Sequence, residues 1–174
     1  MDIKIAATDD AQYLSDFHLM NFEHFKVWEP LREEDYHSIE AWRQRLEQRK
    51  KEQELGIAAY FILYSREANT IIGTCSLTNI TKGPFQACNI GYAISLPYEG
   101  MGYMKKLCSY VIRYAFEDIG LNRIMANYIP HNSRSEGLLK SLGFVEEGYA
   151  QKYLRINGKW ENHVLTALVN PKNR

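Results

Sequence analysis

One stretch of the chain, SLPYEGMGYMKKLCSYV at residues 95–111, joins the end of a strand pattern to the start of a helical one. Gly100 and Gly102 lie at the junction, and apolar residues recur every three to four positions after them. The first amides of a helix lack acceptors within it, and with the helix dipole they form an anion site. Lys105 and Lys106 lie in the first turn, where positive charge opposes the dipole unless an anion is bound. The stretch therefore predicts a strand, a turn and a helix with a phosphate site at the turn.

Glycine at such a joint also serves purely steric needs, so the phosphate interpretation rests on more than this turn alone. The pattern differs from both familiar nucleotide loops, since it lacks the G-x-x-x-x-G-K-[ST] spacing and the early G-x-G-x-x-G unit.

The composition narrows the class of protein. A chain of 174 residues, 45% of them hydrophobic, predicts a single domain over residues 1–174. Its 21 basic and 21 acidic side chains balance, which gives no sign of a nucleic-acid or membrane partner. Cys75, Cys88 and Cys108 match no metal-ligand spacing, so we expect reduced packing residues and no metal. The start, MDIKIAATDD, lacks a signal-peptide pattern, which predicts a cytoplasmic protein.

The hydrophobic periodicity predicts an alternation of strands and helices. Predicted strands cover 3–7, 58–65, 71–80, 87–96 and 122–129, with two more joined at Asn157-Gly158. Predicted helices run from the capping residues 8–10 to about Phe25, from 37 to 55, from 103 to 119 and from 132 to 142.

Two motifs read together, IGYAISLPYEGMGYMKKL and, about 30 residues later, HNSRSEGLLKSLGF, resemble the central motifs of the GCN5-related N-acetyltransferases, the GNAT family. Further segments are similar to the RimJ type of ribosomal-protein-alanine N-acetyltransferase within that family. They include VWEPLRE, GPFQACNIGY, RIMANYIPHNSRS and INGKWENHVLTAL. The resemblance implies an α/β (α+β) fold with a mixed sheet of about seven strands and about four helices. Acetyl-CoA would bind in a cleft between the two central strands.

The resemblance also implies which residues surround acetyl-CoA. Tyr92, Ala93 and Ile94 would lie along the pantetheine arm, and Asn132 would contact the cofactor. The pyrophosphate would be surrounded by Gly100, Met101, Gly102, Tyr103, Met104 and Lys105. Two positions depart from the family pattern, since Glu99 stands where Gln or Arg is usual and Met104 where Gly or Ala is frequent. A carboxylate beside a pyrophosphate is repulsive, so we expect Glu99 to contribute only its backbone.

The resemblance places no strong base or acid in the catalytic positions. Related alanine acetyltransferases use a glutamate and a tyrosine where this chain has Asn127 and Leu139. A peptide α-amine has a pKa of about 8 and a lysine one of about 10.4, so the α-amine needs far less help to lose its proton. We therefore expect Asn127 to hold a water that relays the proton. Ser135, which matches a serine proposed as the acid in related RimL enzymes, is the candidate acid or else a helix-capping hydroxyl.

Four residues are candidates for the acceptor side of the site. Trp28 and Glu29 form a loop motif in which the carboxylate suits a positively charged N-terminus, although Trp28 also fits a role as a loop anchor. Tyr128 follows Asn127 on the same strand and could help to hold the water. His163 could titrate near neutral pH, although a single strand histidine is more often a surface or packing residue.

Three functions remain open from the sequence. The leading hypothesis is acetyl transfer from acetyl-CoA to the N-terminal alanine of a small-subunit ribosomal protein. The second is acetylation of a small amine such as a polyamine, an amino acid or an antibiotic, and the third is acyl-CoA binding or ribosome assembly without catalysis. A peptide acceptor predicts a groove that stays open between the Trp28 loop and the final hairpin, whereas a small amine predicts an enclosed, acid-lined site.

Overall fold

The computed structural model describes residues 1–173, and these form a mixed sheet of seven strands with helices on both faces. The strands are β1 (Asp2–Ile5), β2 (Ala59–Ser65), β3 (Thr70–Thr81), β4 (Ala87–Ile94), β5 (Arg123–Tyr128), β6 (Val145–Ile156) and β7 (Lys159–Val169). The helices are α1 (Ala11–Met20), α2 (Phe22–Phe25), α3 (Ile39–Glu54), α4 (Tyr103–Arg113) and α5 (Ser133–Ser141). The strand order is β1-β2-β3-β4-β5-β7-β6, which confirms the predicted mixed seven-stranded sheet.

The sheet opens at its centre. β4 and β5 are the parallel pair, and their ladder covers only Ala87 to Asn89 against Arg123 to Met125. Beyond Asn89, β4 remains paired with β3 as far as Ile94, while its other edge has no strand partner. Two parallel strands that separate in this way leave backbone N–H and C=O groups free in the gap.

Successive side chains of a strand point to opposite faces of the sheet, so the strands contribute residues to two hydrophobic cores. On β2, Phe61 and Leu63 pack with α4 and α5, while Ile62 packs with α1 and α3. The three cysteines are reduced and buried, which confirms their predicted packing role. Among the described residues, no helix is both long enough and apolar enough to cross a membrane.

The first predicted helix is wrong in one respect, because it is broken into α1 and α2 at Asn21. The Asn21 backbone leaves the helical region, and its side-chain Nδ2 donates to the Phe17 carbonyl at 2.8 Å. Its Oδ1 accepts hydrogen bonds from Ser95 Oγ and from the Leu96 amide, each at 3.0 Å. The break therefore fixes the end of α1 to the exit of β4.

The other turns follow the predicted chemistry. Asn157 and Gly158, both at positive φ (45° and 78°), connect β6 to β7. Gly120, at φ 79°, follows the helical segment that continues α4, where the sequence predicts a left-handed cap.

Candidate functional site

A cleft of about 600 Å³ lies between the separated ends of β4 and β5. Its walls come from β4, β5, the turn before α4, the first turns of α5, and the α2 loop that carries Trp28 and Glu29. We call it the central cleft. The gap that the short β4–β5 ladder leaves in the sheet is therefore a candidate functional site.

The glycine turn forms one end of the central cleft. Gly100 and Gly102 have φ angles of 72° and 79°, which favour glycine because a β-carbon is strained there. The first helical hydrogen bond of α4 joins the Lys106 amide to the Gly102 carbonyl at 3.1 Å, and no side chain caps the helix. The amides of residues 103–105 therefore have no acceptor within the helix.

The Glu99 carboxylate is paired with two side chains, the guanidinium of Arg134 and the imidazole of His24. Its Oε1 lies 3.0 Å from His24 Nε2 on α2, and its Oε2 lies 2.6 Å from Arg134 Nη1 on α5. The side chain is largely buried, with 18% of it exposed. The pairing explains how a carboxylate can stand next to an anion site, although the sequence gives no sign of either partner.

The structure brings together most of the residues that the resemblance assigns to the cofactor. Those that line the central cleft are Tyr92, Ala93, Ile94, Gly100, Gly102, Met104, Lys105 and Asn132. Two others lie outside the lining: Met101 points to solvent with 62% of its surface exposed, and Tyr103 packs edge-on against Tyr98. Only 8% of Met104 is exposed, and it packs in the α4 core.

Ser135 is held from two sides. Its backbone amide donates to Asn132 Oδ1 at 3.1 Å, which makes Asn132 the N-cap of α5. Its hydroxyl lies 2.7 Å from the Tyr92 hydroxyl, so a hydrogen bond crosses the central cleft from α5 to β4. Burial raises the pKa of Tyr92 well above its ordinary value, and the tyrosine therefore keeps its proton. Sequence reasoning assigned Tyr92 to the cleft wall and missed its hydroxyl contact.

Asn127, Tyr128 and His163 form the β5–β7 wall of the central cleft. Asn127 Nδ2 donates to the Tyr153 hydroxyl from β6 at 3.2 Å, a contact that the sequence does not reveal. His163 is buried, with 4% of its surface exposed, and its Nδ1 lies 3.1 Å from the Glu161 carbonyl. Leu139, at the position of the family tyrosine, is a core residue with 1% exposed.

Trp28 and Glu29 enter the central cleft from the α2 loop, and the Trp28 ring lies 5.5 Å from that of His131. Burial raises the pKa of Glu29, while the positive charge of Arg32 acts in the opposite direction. The Glu29 carbonyl accepts a hydrogen bond from the Asn157 amide at 2.9 Å. The loop and the final hairpin are therefore joined, and the expectation of an open groove between them is wrong at this point.

The fold and the central cleft define a GNAT acetyltransferase. Residues 4–145 match the family model described as Acetyltransferase (GNAT) domain, and the chain belongs to this family. It is 40% identical over 169 residues to the [Ribosomal protein uS5]-alanine N-acetyltransferase of Escherichia coli (strain K12), a match that covers 97% of this chain and 87% of that protein.

Solved structures agree with the family. The ribosomal-protein-S5-alanine acetyltransferase from Vibrio fischeri superposes with a TM-score of 0.96 at 38% identity, covering 99% of this chain and 94% of that one. RimJ from Mycobacterium smegmatis, solved in complex with CoA-disulfide, gives a TM-score of 0.91 at 25% identity, covering 98% and 82%.

Proposed function

We propose that this protein transfers an acetyl group from acetyl-CoA to the α-amine of a protein that begins with alanine, and that the acceptor is a small-subunit ribosomal protein. The E. coli and V. fischeri relatives are named for alanine acetylation of ribosomal protein S5, and both match nearly the whole chain. We place the reaction in the cytoplasm, where ribosomal proteins are made. The observation that carries the proposal is that the glycine turn, with its free α4 amides, shares one cleft with Glu29, which forms no ion pair within residues 1–173.

The residues of the central cleft fit acetyl-CoA. The free amides of 103–105 and the exposed Lys105 suit a pyrophosphate, and the unpaired edge of β4 beyond Asn89 suits the amides of a pantetheine arm. Bound acetyl-CoA supplies the activated acetyl thioester. The chain's own groups then have three tasks: to position the amine, to remove its proton and to protonate the leaving sulfur.

The acceptor amine is positioned by Glu29. The central cleft is lined by two carboxylates, and Glu99 is already paired with His24 and Arg134. One free carboxylate in a partly buried site matches the single charge of an α-ammonium group. A polyamine carries several positive charges and would leave all but one of them without a partner, so the geometry favours the N-terminal acceptor.

Proton transfer needs only weak groups in this site. The α-amine gives its proton to a water held by Asn127 and the neighbouring Tyr153 hydroxyl. The Ser135 hydroxyl donates a proton to the leaving sulfur and regains one from solvent, while the Tyr92 hydroxyl, 2.7 Å away, keeps its own proton and holds Ser135 in position. A shared hydroxyl pair of this kind also gives a reason for catalysis and not only for acyl-CoA binding.

The test is an acetylation assay on matched acceptors. Purified protein and acetyl-CoA are incubated with peptides that begin with Ala, the same peptides with a blocked α-amine and an internal lysine, spermidine, and free amino acids, and products are read by mass spectrometry. We expect mono-acetylation at the α-amine of the alanine peptides. Product on spermidine alone would overturn the proposal, and tight CoA binding without any product would favour the non-catalytic alternative.

A further inference from the structure

A second cavity, of about 270 Å³, lies on the α1 and α3 face of the sheet. It shares Glu29 and residues 91–93 of β4 with the central cleft, so the two spaces meet where β4 separates from β5. We call it the arginine pocket. Its position places it next to the residue that we assign to the acceptor amine, and away from the glycine turn.

The arginine pocket carries an excess of positive charge. Three arginines line it, Arg32, Arg45 and Arg49, against the one carboxylate of Glu29. The Arg49 guanidinium lies 4.2 Å from the Tyr60 ring and 5.1 Å from the Trp42 ring. Within residues 1–173 it forms no ion pair, and no hydrogen bond from it is found. Burial lowers the pKa of Arg49, which shows that its charge is poorly solvated.

The other polar groups around the arginine pocket are short of partners as well. Trp42 Nε1, Arg45 Nη1 and the Nδ1 atoms of His18 and His37 are buried and have no hydrogen-bond partner in the described part of the chain. Only 2% of Trp42 and 7% of His37 are exposed. Buried polar groups in native proteins are nearly always paired, so a cluster of polar groups without partners in one place points to a ligand.

The ligand is an anion and not a metal ion. His18, His37 and Glu29 come within 4.8 Å of one another and could be taken for a cation site. The two imidazoles, however, are stacked with their planes 8° apart and their centroids 4.5 Å apart. Stacked rings direct their in-plane lone pairs side by side and not at one point, which disfavours a shared metal ion.

We propose that the arginine pocket binds a side-chain carboxylate of the acceptor peptide, an Asp or Glu within a few residues of the acetylated alanine. The inference rests on the proposed function, because the pocket shares Glu29 and residues 91–93 with the central cleft. The planar guanidiniums of Arg49 and Arg45, fixed by stacking on Trp42, suit a planar carboxylate. Glu29 then holds the α-ammonium and the arginine pocket selects the sequence that follows it.

The test compares peptides that begin with alanine and differ only by Glu or Gln at positions two to five. We expect kcat/KM to be higher by about tenfold or more for Glu at one of these positions, which is the scale of a hydrogen bond between charged groups. Arg49→Gln should remove that preference. Arg49→Lys keeps the positive charge and should retain part of the preference for Glu. Arg43→Gln, on the exposed face of the same helix, is the matched control and should leave it intact.

A binding measurement separates this inference from the proposed function. The indole N–H signal of Trp42, assigned with Trp42→Phe, is followed by NMR during titration with N-acetylglutamate α-methylamide and with its glutamine counterpart. We expect a shift with the glutamate compound alone and none in Arg49→Gln.

The outcomes are distinct. Alanine peptides acetylated without any Glu preference, together with an unmoved Trp42 signal, overturn the arginine pocket and leave the proposed function intact. A shift of the Trp42 signal with no acetylated peptide, or with free amino acids as the better acceptors, shows a carboxylate site in the arginine pocket and overturns both the peptide acceptor and the assignment of that site to it. A larger response to inorganic phosphate than to the carboxylate overturns the assignment to a side-chain carboxylate.

Discussion

The central cleft and the arginine pocket meet at β4, yet they are built in different ways. The groups that the central cleft offers to a ligand belong mainly to the backbone: the strand edges beyond the short β4–β5 ladder and the free amides of α4. The arginine pocket is built from side chains on α1, α3 and the α2–α3 loop that stack on one another. A backbone site needs glycine and a strand end at one place in the chain, whereas a side-chain site needs several residues that are far apart in sequence.

The difference has a physical consequence for tolerance to change. Most side chains near the glycine turn can vary, because the amides there belong to every residue type except proline. The arginine pocket has no such freedom, since each guanidinium and imidazole occupies one position. Substitutions that act on backbone and on side chains should therefore affect the two sites differently, and four measurements test this.

The largest effect is expected from Gly102→Val. A β-branched residue at φ 79° is strained and displaces the amides of the turn, so CoA affinity should fall by more than about 100-fold, the scale of two lost charged hydrogen bonds. Isothermal titration with CoA measures it. Gly120→Val, also at φ 79° but outside the central cleft, carries the same strain and should bind CoA normally. Normal binding by Gly102→Val would contradict the backbone site.

The next largest effect is expected on the rate of acetyl transfer. Ser135→Ala should lower kcat by about 100-fold, the lower range for a lost general acid, with little change in the KM for acetyl-CoA. Tyr92→Phe should lower kcat less, and the double variant should be no slower than Ser135→Ala, because both changes remove the same hydrogen bond. Additive losses measured by steady-state kinetics would show that the two hydroxyls act separately.

A smaller effect is expected where the two spaces meet. Glu29→Gln should raise the peptide KM by about tenfold, since one charge-assisted contact with the α-ammonium is lost, and leave CoA affinity unchanged. Because burial raises the pKa of Glu29, the same loss should appear in the wild type as pH falls into its titration range. Glu33→Gln, an exposed loop carboxylate, is the control and should keep the wild-type peptide KM.

The smallest effect concerns stability and the arginine pocket alone. Burial lowers the pKa of His18 to about 3 and that of His37 to about 4, from 6.5. Between those values and 6.5 the unfolded chain binds more protons than the folded one, so the free energy of unfolding rises with pH in that window and is lost as the pH falls through it. His18→Gln should reduce the slope by up to about 1.4 kcal/mol per pH unit. Urea denaturation at several pH values tests this, with the exposed His131→Gln as control.

The same contrast explains what the sequence could predict. The strands, the α4 turn and the N-cap of α5 follow from local patterns, and they were predicted because glycine, asparagine and apolar periodicity act over a few residues. The break at Asn21 was not predicted, because the Asn21 side chain is held there by hydrogen bonds from Ser95 and Leu96, more than 70 residues away.

The arginine pocket was missed for a similar reason. Its arginines lie in a segment of mixed charge that reads as a solvated helix face. Only the tertiary packing brings Trp42 and Tyr60 under Arg49. The Tyr92 to Ser135 hydrogen bond also joins residues 43 positions apart. Contacts between side chains that are far apart in sequence produce no periodic pattern, so a single sequence does not reveal them.

The hydrogen bond between the Glu29 carbonyl and the Asn157 amide, with Leu31 beside Gly158, joins the loop that lines the central cleft to the final hairpin. A polypeptide segment that continues in both directions needs an exit there, whereas a chain end does not. In the proposed function, the bridge would favour termini over internal loops by steric exclusion, independently of the basicity of the amine. The enzyme would then select a protein's first residue by its position at a chain end as much as by the pKa of its amine.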